Sequence, residues 1–207
     1  MTKVKICGLS EVRHVKAAVE AGADAIGFVF APSRRQVTIE QAKELAAYIP
    51  ESVLKVGVFV NETAAEIHKI FEAVPLDVVQ FHGDETPEFI QQVGLPSIKA
   101  FSIRNIDDVQ AASDYKATPL FDAPGIEYQG GSGQTFNWNL LMGEDIQKQP
   151  FILAGGLDTH NVAEAIERVK PTMVDVSSGV EIEKRKDEEL IRAFVRAVKS
   201  KDEERYA

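Results

Sequence analysis

Short apolar runs alternate along the chain with longer stretches in which apolar residues recur every third or fourth place. The runs are KVKIC (Lys3–Cys7), AIGFVF (Ala25–Phe30), KVGVFV (Lys55–Val60), DVVQF (Asp77–Phe81), SIKAF (Ser97–Phe101), PLFD (Pro119–Asp122), FILA (Phe151–Ala154) and MVDVS (Met173–Ser177). Most are continuously apolar rather than alternating, the pattern of strands covered on both faces.

The segments between them carry helix signals. Ser10 precedes EVRHVKAAVEAG, where Val12, Val15 and Val19 share a face and Gly22 ends the run. Thr38, Thr63 and Thr86 open the next three, the last followed by Pro87 at a first-turn position that needs no amide hydrogen. Asp158 and Asp187 are the expected caps of the last two. A fifth helix falls near Asn105–Ser113, and a sixth, after Trp138, is short and poorly patterned.

Strand–helix alternation implies a parallel sheet with right-handed crossovers. Successive strands start roughly 20 to 30 residues apart, the spacing of compact βα units. Eight such units fit a closed (β/α)8 TIM barrel of the α/β class. The rival is an open doubly wound sheet, which would carry a nucleotide fingerprint after its first strand; CGLSEV is no GxGxxG. Residues 1–207 read as one domain, with a solvated, frayed tail from about residue 200.

Composition narrows the function classes. A hydrophobic share of 44% and a charged share of 27% are those of an ordinary globular protein. One cysteine excludes an internal disulfide and fits a reducing, cytoplasmic setting. No CxxC and only four scattered histidines leave no ligand set for structural zinc, so no metal is expected. No run is long enough for a signal peptide or a membrane span. A net charge of −9 argues against nucleic acid as partner, but backbone amides and an arginine can still hold a small phosphorylated ligand.

In such a barrel the chemistry gathers where strands end. Gly155-Gly156 follow the seventh run and Ser178-Gly179 the eighth, and glycine-rich turns in adjacent loops there form a phosphate cradle. The long loop GIEYQGGSGQTFNW (Gly125–Trp138), with Gly131 and Gly133, reads as a lid anchored by Phe136 and Trp138. Cys7 ends the first run, either as a small buried hydrophobe or as a reactive thiol. Asp122 ends the sixth, equally a general acid or base or a loop cap. Of Arg34 and Arg35, one guanidinium can clamp a carboxylate. His82 is a site residue or a core histidine, and Asp175 a buried carboxylate in need of partners.

These blocks resemble the phosphoribosylanthranilate isomerase family of tryptophan biosynthesis. KICGL, ADAIGFVFAPSRR, VGVFVNE, VVQFHGDE, LFDA, GGSGQTFNW, LAGGL and VDVSSGVE follow in that family's order from Lys3 to Glu181. After Glu181, IEKRKD replaces the family's usual Pro-Gly turn. The resemblance implies a single barrel, no cofactor, a monomer or homodimer, and an Amadori rearrangement of an aminoaldose to an aminoketose. It assigns the acid to Asp122, the base to Cys7 and the substrate carboxylate to Arg35. Gly155, Gly156, Ser178 and Gly179 then hold the phosphate, with Gly131 and Gly133 contributing. A strand-tip thiol with modest stabilisation is expected to supply thiolate at neutral pH. Alternatives are another phosphosugar barrel enzyme, an epimerase or a synthase, or a non-catalytic phosphosugar-binding protein.

Overall fold

A computed structural model describes residues 1–124 and 136–206, except for the side chains of residues 144, 145 and 202–206. Eight parallel strands close into a barrel in sequence order. They are β1 (Lys3–Cys7), β2 (Ala25–Val29), β3 (Leu54–Phe59), β4 (Val78–Phe81), β5 (Ser97–Ser102), β6 (Thr118–Asp122), β7 (Ile152–Leu153) and β8 (Met173–Val176). β8 pairs with β1, with Lys5 opposite Asp175, and closes the ring.

Helices α1 (Val12–Ala21), α2 (Ile39–Ala46), α3 (Ala64–Ala73), α4 (Pro87–Val93), α5 (Ile106–Gln110), α6 (Glu144–Gln147), α7 (Val162–Val169) and α8 (Glu188–Tyr206) follow the strands in turn. Thr38 caps α2 in a capping box with Gln41, and Thr63 and Thr86 accept from Glu66 N and Phe89 N. Two caps differ from expectation. α1 is preceded by Glu11, not Ser10, and the Glu11 carboxylate makes no cap because it accepts from Arg13 Nε at 2.9 Å. Asp158 closes the turn ahead of α7, accepting from His160 N and Asn161 N, and leaves Asn161 at the cap position. α8 continues as helix through Tyr206, over the segment read as a tail.

The two-residue period of each strand sorts side chains into two cores. Ala25, Val56, Ile98, Leu120, Ile152 and Met173 fill the inside of the barrel. A larger layer, including Ile6, Phe28, Phe121, Ile166 and Phe194, packs the outer strand faces against the helices. After β8 comes a hairpin absent from the sequence reading, β9 (Glu181–Ile182) against β10 (Arg185–Lys186). Its two linking residues, Glu183 and Lys184, both have positive φ, 49° and 65°, the backbone of a tight I′-type turn. This turn gives IEKRKD its shape without a Pro-Gly pair, and it folds Lys186 back over Glu181. Among the described residues no helix is long and apolar enough to cross a membrane.

Candidate active site

The inward period that places Ala25, Leu120 and Met173 in the barrel also turns Lys5, Cys7, Gln80, Asp122 and Asp175 to the inside. Lys5 and Cys7 are two apart on β1, as are Leu120 and Asp122 on β6 and Met173 and Asp175 on β8. At the carboxyl ends of the strands these polar groups meet a cavity of about 280 Å³. Cys7, Arg35, His82, Asp122, Gly155, Gly156, Asp175 and Ser178 all line it. Arg34 and Gly179 do not line it. Gly131 and Gly133 lie outside the described residues.

Cys7 therefore faces Asp122 across one opening rather than packing away from it. The thiol is only 8% exposed. Burial pushes its pKa up; Lys5 and Lys186 pull it down, and Asp175 adds to the rise. The expected stabilisation of a strand-tip thiolate thus meets two opposed influences: burial disfavours the charge, and Lys5 and Lys186 favour it. Asp175, whose facing was open, points inward and accepts from Lys5 Nζ at 2.9 Å. Both are buried, Lys5 completely.

At the end of β6, Asp122 Oδ2 lies 3.4 Å from His82 Nε2. His82 is neither a core histidine nor bonded to backbone there, because its Nδ1 takes a 3.0 Å hydrogen bond with Gln80 Nε2. With Nδ1 engaged by the amide, Nε2 is the ring nitrogen that faces the carboxylate. Gln80 is fully buried, and its Oε1 has no hydrogen-bond partner among the described residues.

Arg35 reaches the cavity but half of its fork is already used. Its Nε donates to Glu181 Oε1 at 2.7 Å and its Nη2 to Oε2 at 3.1 Å. Arg34 Nη2 shares Oε2 at 2.7 Å, and Lys186 Nζ lies 2.9 Å from Oε1. Burial would raise Glu181, yet the hydrogen bond from Arg35 and the charge of Lys186 hold it down at about 2. Lys186 is brought down to about 8 by burial, against the attraction of Glu181 and with the help of Arg35. The two shifts have different causes: three cations around one carboxylate hold Glu181 down, whereas burial outweighs the attraction of Glu181 at Lys186. Lys186 Nζ also donates to Ser177 O at 2.7 Å, and Ser177 Oγ donates to Cys7 O at 3.3 Å. The hairpin thereby ties the loop after β8 to the cysteine strand.

Gly155 and Gly156 both have positive φ, 83° and 65°, which lets consecutive amides turn toward the cavity. Gly179 acts one layer lower. A Cβ there would run into the Leu157 carbonyl oxygen, so its missing side chain lets the loops after β7 and β8 touch. Among the described residues no group of three or more His, Cys, Asp or Glu side chains is placed to hold a metal ion.

Lys5, Gln80, Glu181 and Lys186 escaped the sequence reading. A signal existed for the first two. A lysine or glutamine inside an apolar strand, two places before a chemical residue, shares that residue's face.

A closed barrel whose mouth sets a thiol opposite a carboxylate, beside paired glycine turns, defines an acid–base enzyme of the phosphosugar-binding barrel class. Residues 4–197 match the family model described as N-(5'phosphoribosyl)anthranilate (PRA) isomerase. An N-(5'-phosphoribosyl)anthranilate isomerase of Listeria welshimeri is 51% identical over 197 residues, 95% of this chain and 98% of that protein. The solved isomerase of Thermotoga maritima is 38% identical over 97% of this chain and all of its own, with a TM-score of 0.90. A further structure of the Thermotoga maritima isomerase describes monomers generated from a dimeric protein. A phosphoribosyl anthranilate isomerase in complex with reduced 1-(O-carboxyphenylamino)-1-deoxyribulose 5-phosphate is 36% identical over 97% of this chain and 100% of its own, with a TM-score of 0.87. The chain belongs to the N-(5'-phosphoribosyl)anthranilate isomerase family.

Proposed function

We propose that this chain isomerises N-(5'-phosphoribosyl)anthranilate to 1-(2-carboxyphenylamino)-1-deoxyribulose 5-phosphate in tryptophan biosynthesis, with Asp122 as acid and Cys7 as base. The observation that carries the reading is that Cys7 and Asp122 line one cavity, which Gly155, Gly156 and Ser178 also line.

The phosphate rests on the glycine turns after β7 and the serine turn after β8, and the anthranilate carboxylate lies toward the free edge of Arg35. Anchoring both ends holds the ribose between Cys7 and Asp122, and such positioning lowers a barrier by removing translational freedom. Asp122 gives its proton to the ring oxygen. The C1′–O4′ bond breaks and the anthranilate nitrogen lone pair makes the C1′=N bond of a protonated imine. His82 Nε2–H on Oδ2 stabilises the carboxylate left behind.

The imine acidifies C2′. Cys7 sulfur takes that proton, and the electron pair forms the C1′=C2′ bond of an enolamine while the imine nitrogen is neutralised. Tautomerisation then delivers a proton to C1′ and releases the one on the C2′ hydroxyl. Two protons are gained and two lost, so the product is an isomer and no redox partner enters.

The test is direct incubation of the purified protein with N-(5'-phosphoribosyl)anthranilate, following loss of its anthranilate-type fluorescence and identifying the product. Formation of the aminoketose is expected. A fluorescence trace no faster than the uncatalysed decay would overturn the reading.

A further inference from the structure

A lysine enclosed in a barrel strand demands a reason, because an ion removed from water is expensive to hold. Lys5 has no exposed surface, and its Nζ lies 2.9 Å from Asp175 Oδ1 on the neighbouring strand, at directly opposed register positions. Apolar side chains of the same size would fill that space without desolvating two charges, and such replacements are often neutral or stabilising. Filling the barrel therefore does not account for the pair.

What lies beside the pair does. Cys7 is two residues beyond Lys5 on the same inward face, and Gly27 of β2 sits opposite Cys7 in register. A Cβ placed on Gly27 would come within 2.8 Å of Cys7 Sγ and 3.2 Å of Lys5 Nζ. Sulfur and ammonium thus press on the same small space, which only glycine leaves open. We infer that Lys5 is a positioning residue of this enzyme: its ammonium, pinned by Asp175, is the counter-charge that lets Cys7 carry a negative charge inside the barrel mouth. The inference rests on Cys7 being the base proposed above.

The charges around the thiol are of both signs, with the cations foremost. It is faced by Lys5 from β1, by Asp175 from β8 and by Lys186 from β10, with Arg35, His82 and Asp122 along the same cavity. Burial pushes the thiol up, Lys5 is the foremost group opposing it, and Asp175 works the other way. Burial also pulls Lys5 down, but Asp175 and Cys7 more than reverse this and hold it above the ordinary lysine value. The pairing with Asp175 thus favours the charged form of Lys5. When sulfur takes the C2′ proton the S–H bond forms and the C2′–H bond breaks, and Lys5 neither gains nor loses a proton.

The chain has one cysteine, so the ultraviolet absorbance of thiolate, taken as a difference from a Cys7→Ser variant, reports this group without turnover. Its pH midpoint is expected to rise by about one unit or more, a tenfold change in ionisation constant, in Lys5→Met, and to fall in Asp175→Asn. Lys5→Met leaves a buried carboxylate unpaired and can fail to fold; the matched double variant Lys5→Met/Asp175→Asn avoids this. Its midpoint is expected about one unit or more above that of Asp175→Asn alone. In parallel, kcat of the lysine-free variants should recover as pH rises, with KM little changed. Equal midpoints in the double variant and Asp175→Asn would overturn the inference. Full turnover by Cys7→Ser would instead remove the base assignment and leave the absorbance result standing.

Discussion

Arg35 and Glu181 lie side by side, joined by two hydrogen bonds of 2.7 and 3.1 Å. A planar guanidinium held along its Nε edge cannot swing, and its remaining Nη protons point along a fixed line. Since Arg35 lines the cavity and Arg34 spends its fork on Glu181 and the Lys184 carbonyl, the two arginines should separate in kinetics. Arg35→Ala is expected to raise KM about tenfold or more, the scale of a lost charge-assisted hydrogen bond, with a smaller effect on kcat. Arg34→Ala should stay within a few-fold. Steady-state kinetics of the pair decide it, and an equal rise in both would show that the clamp does not sit at Arg35.

The same carboxylate makes an acid-stability prediction. Glu181 is held at about 2 in the fold against an ordinary value of 4.5. A depressed carboxylate stabilises the fold above its unfolded pKa and loses that contribution as pH falls through its folded one. Wild type should therefore exceed Glu181→Gln in stability by on the order of 3 kcal/mol near neutrality, following 1.36 kcal/mol per pKa unit. The gap should narrow between about pH 4.5 and pH 2. Denaturant titrations across that window test it; a gap independent of pH would mean that Glu181 acts through packing and not through charge.

Gly27→Ala probes the space shared by Lys5 and Cys7. The added methyl would stand 2.8 Å from Cys7 Sγ, too close for both to keep their places. Overpacking of this kind costs about 1–3 kcal/mol, and the thiol is the movable partner because it borders the cavity. A kcat lowered about tenfold or more is expected from the misplaced sulfur, with the far-ultraviolet spectrum unchanged. Unaltered kcat would mean that sulfur position is not critical.

Much of the barrel is legible in the chain because parallel strands covered on both faces spell out as apolar runs, and threonine caps mark α2, α3 and α4. Legibility fails where structure is short. β7 is Ile152–Leu153 within the run FILA, and α6 is Glu144–Gln147 with no room for a helical period. The β9–β10 hairpin hides because Glu183 and Lys184 adopt positive φ without the Gly or Asn that advertises such a turn. Cys7 and Asp122 are found by reading strand ends. Lys5 and Gln80 lie one inward step below the rim, so attention to strand ends alone passes over them. Lys186 escapes because its contact with Glu181 is made only by the turn that the residues do not announce.

The central claim is a division of labour between Cys7 and Asp122, and turnover of N-(5'-phosphoribosyl)anthranilate by Cys7→Ala and Asp122→Asn tests it most directly. Each variant is predicted to fold as wild type does and to lose about 10²–10⁴ in kcat, the range of a positioned acid or base. A kcat within a few-fold of wild type in either variant would contradict the assignment of that residue.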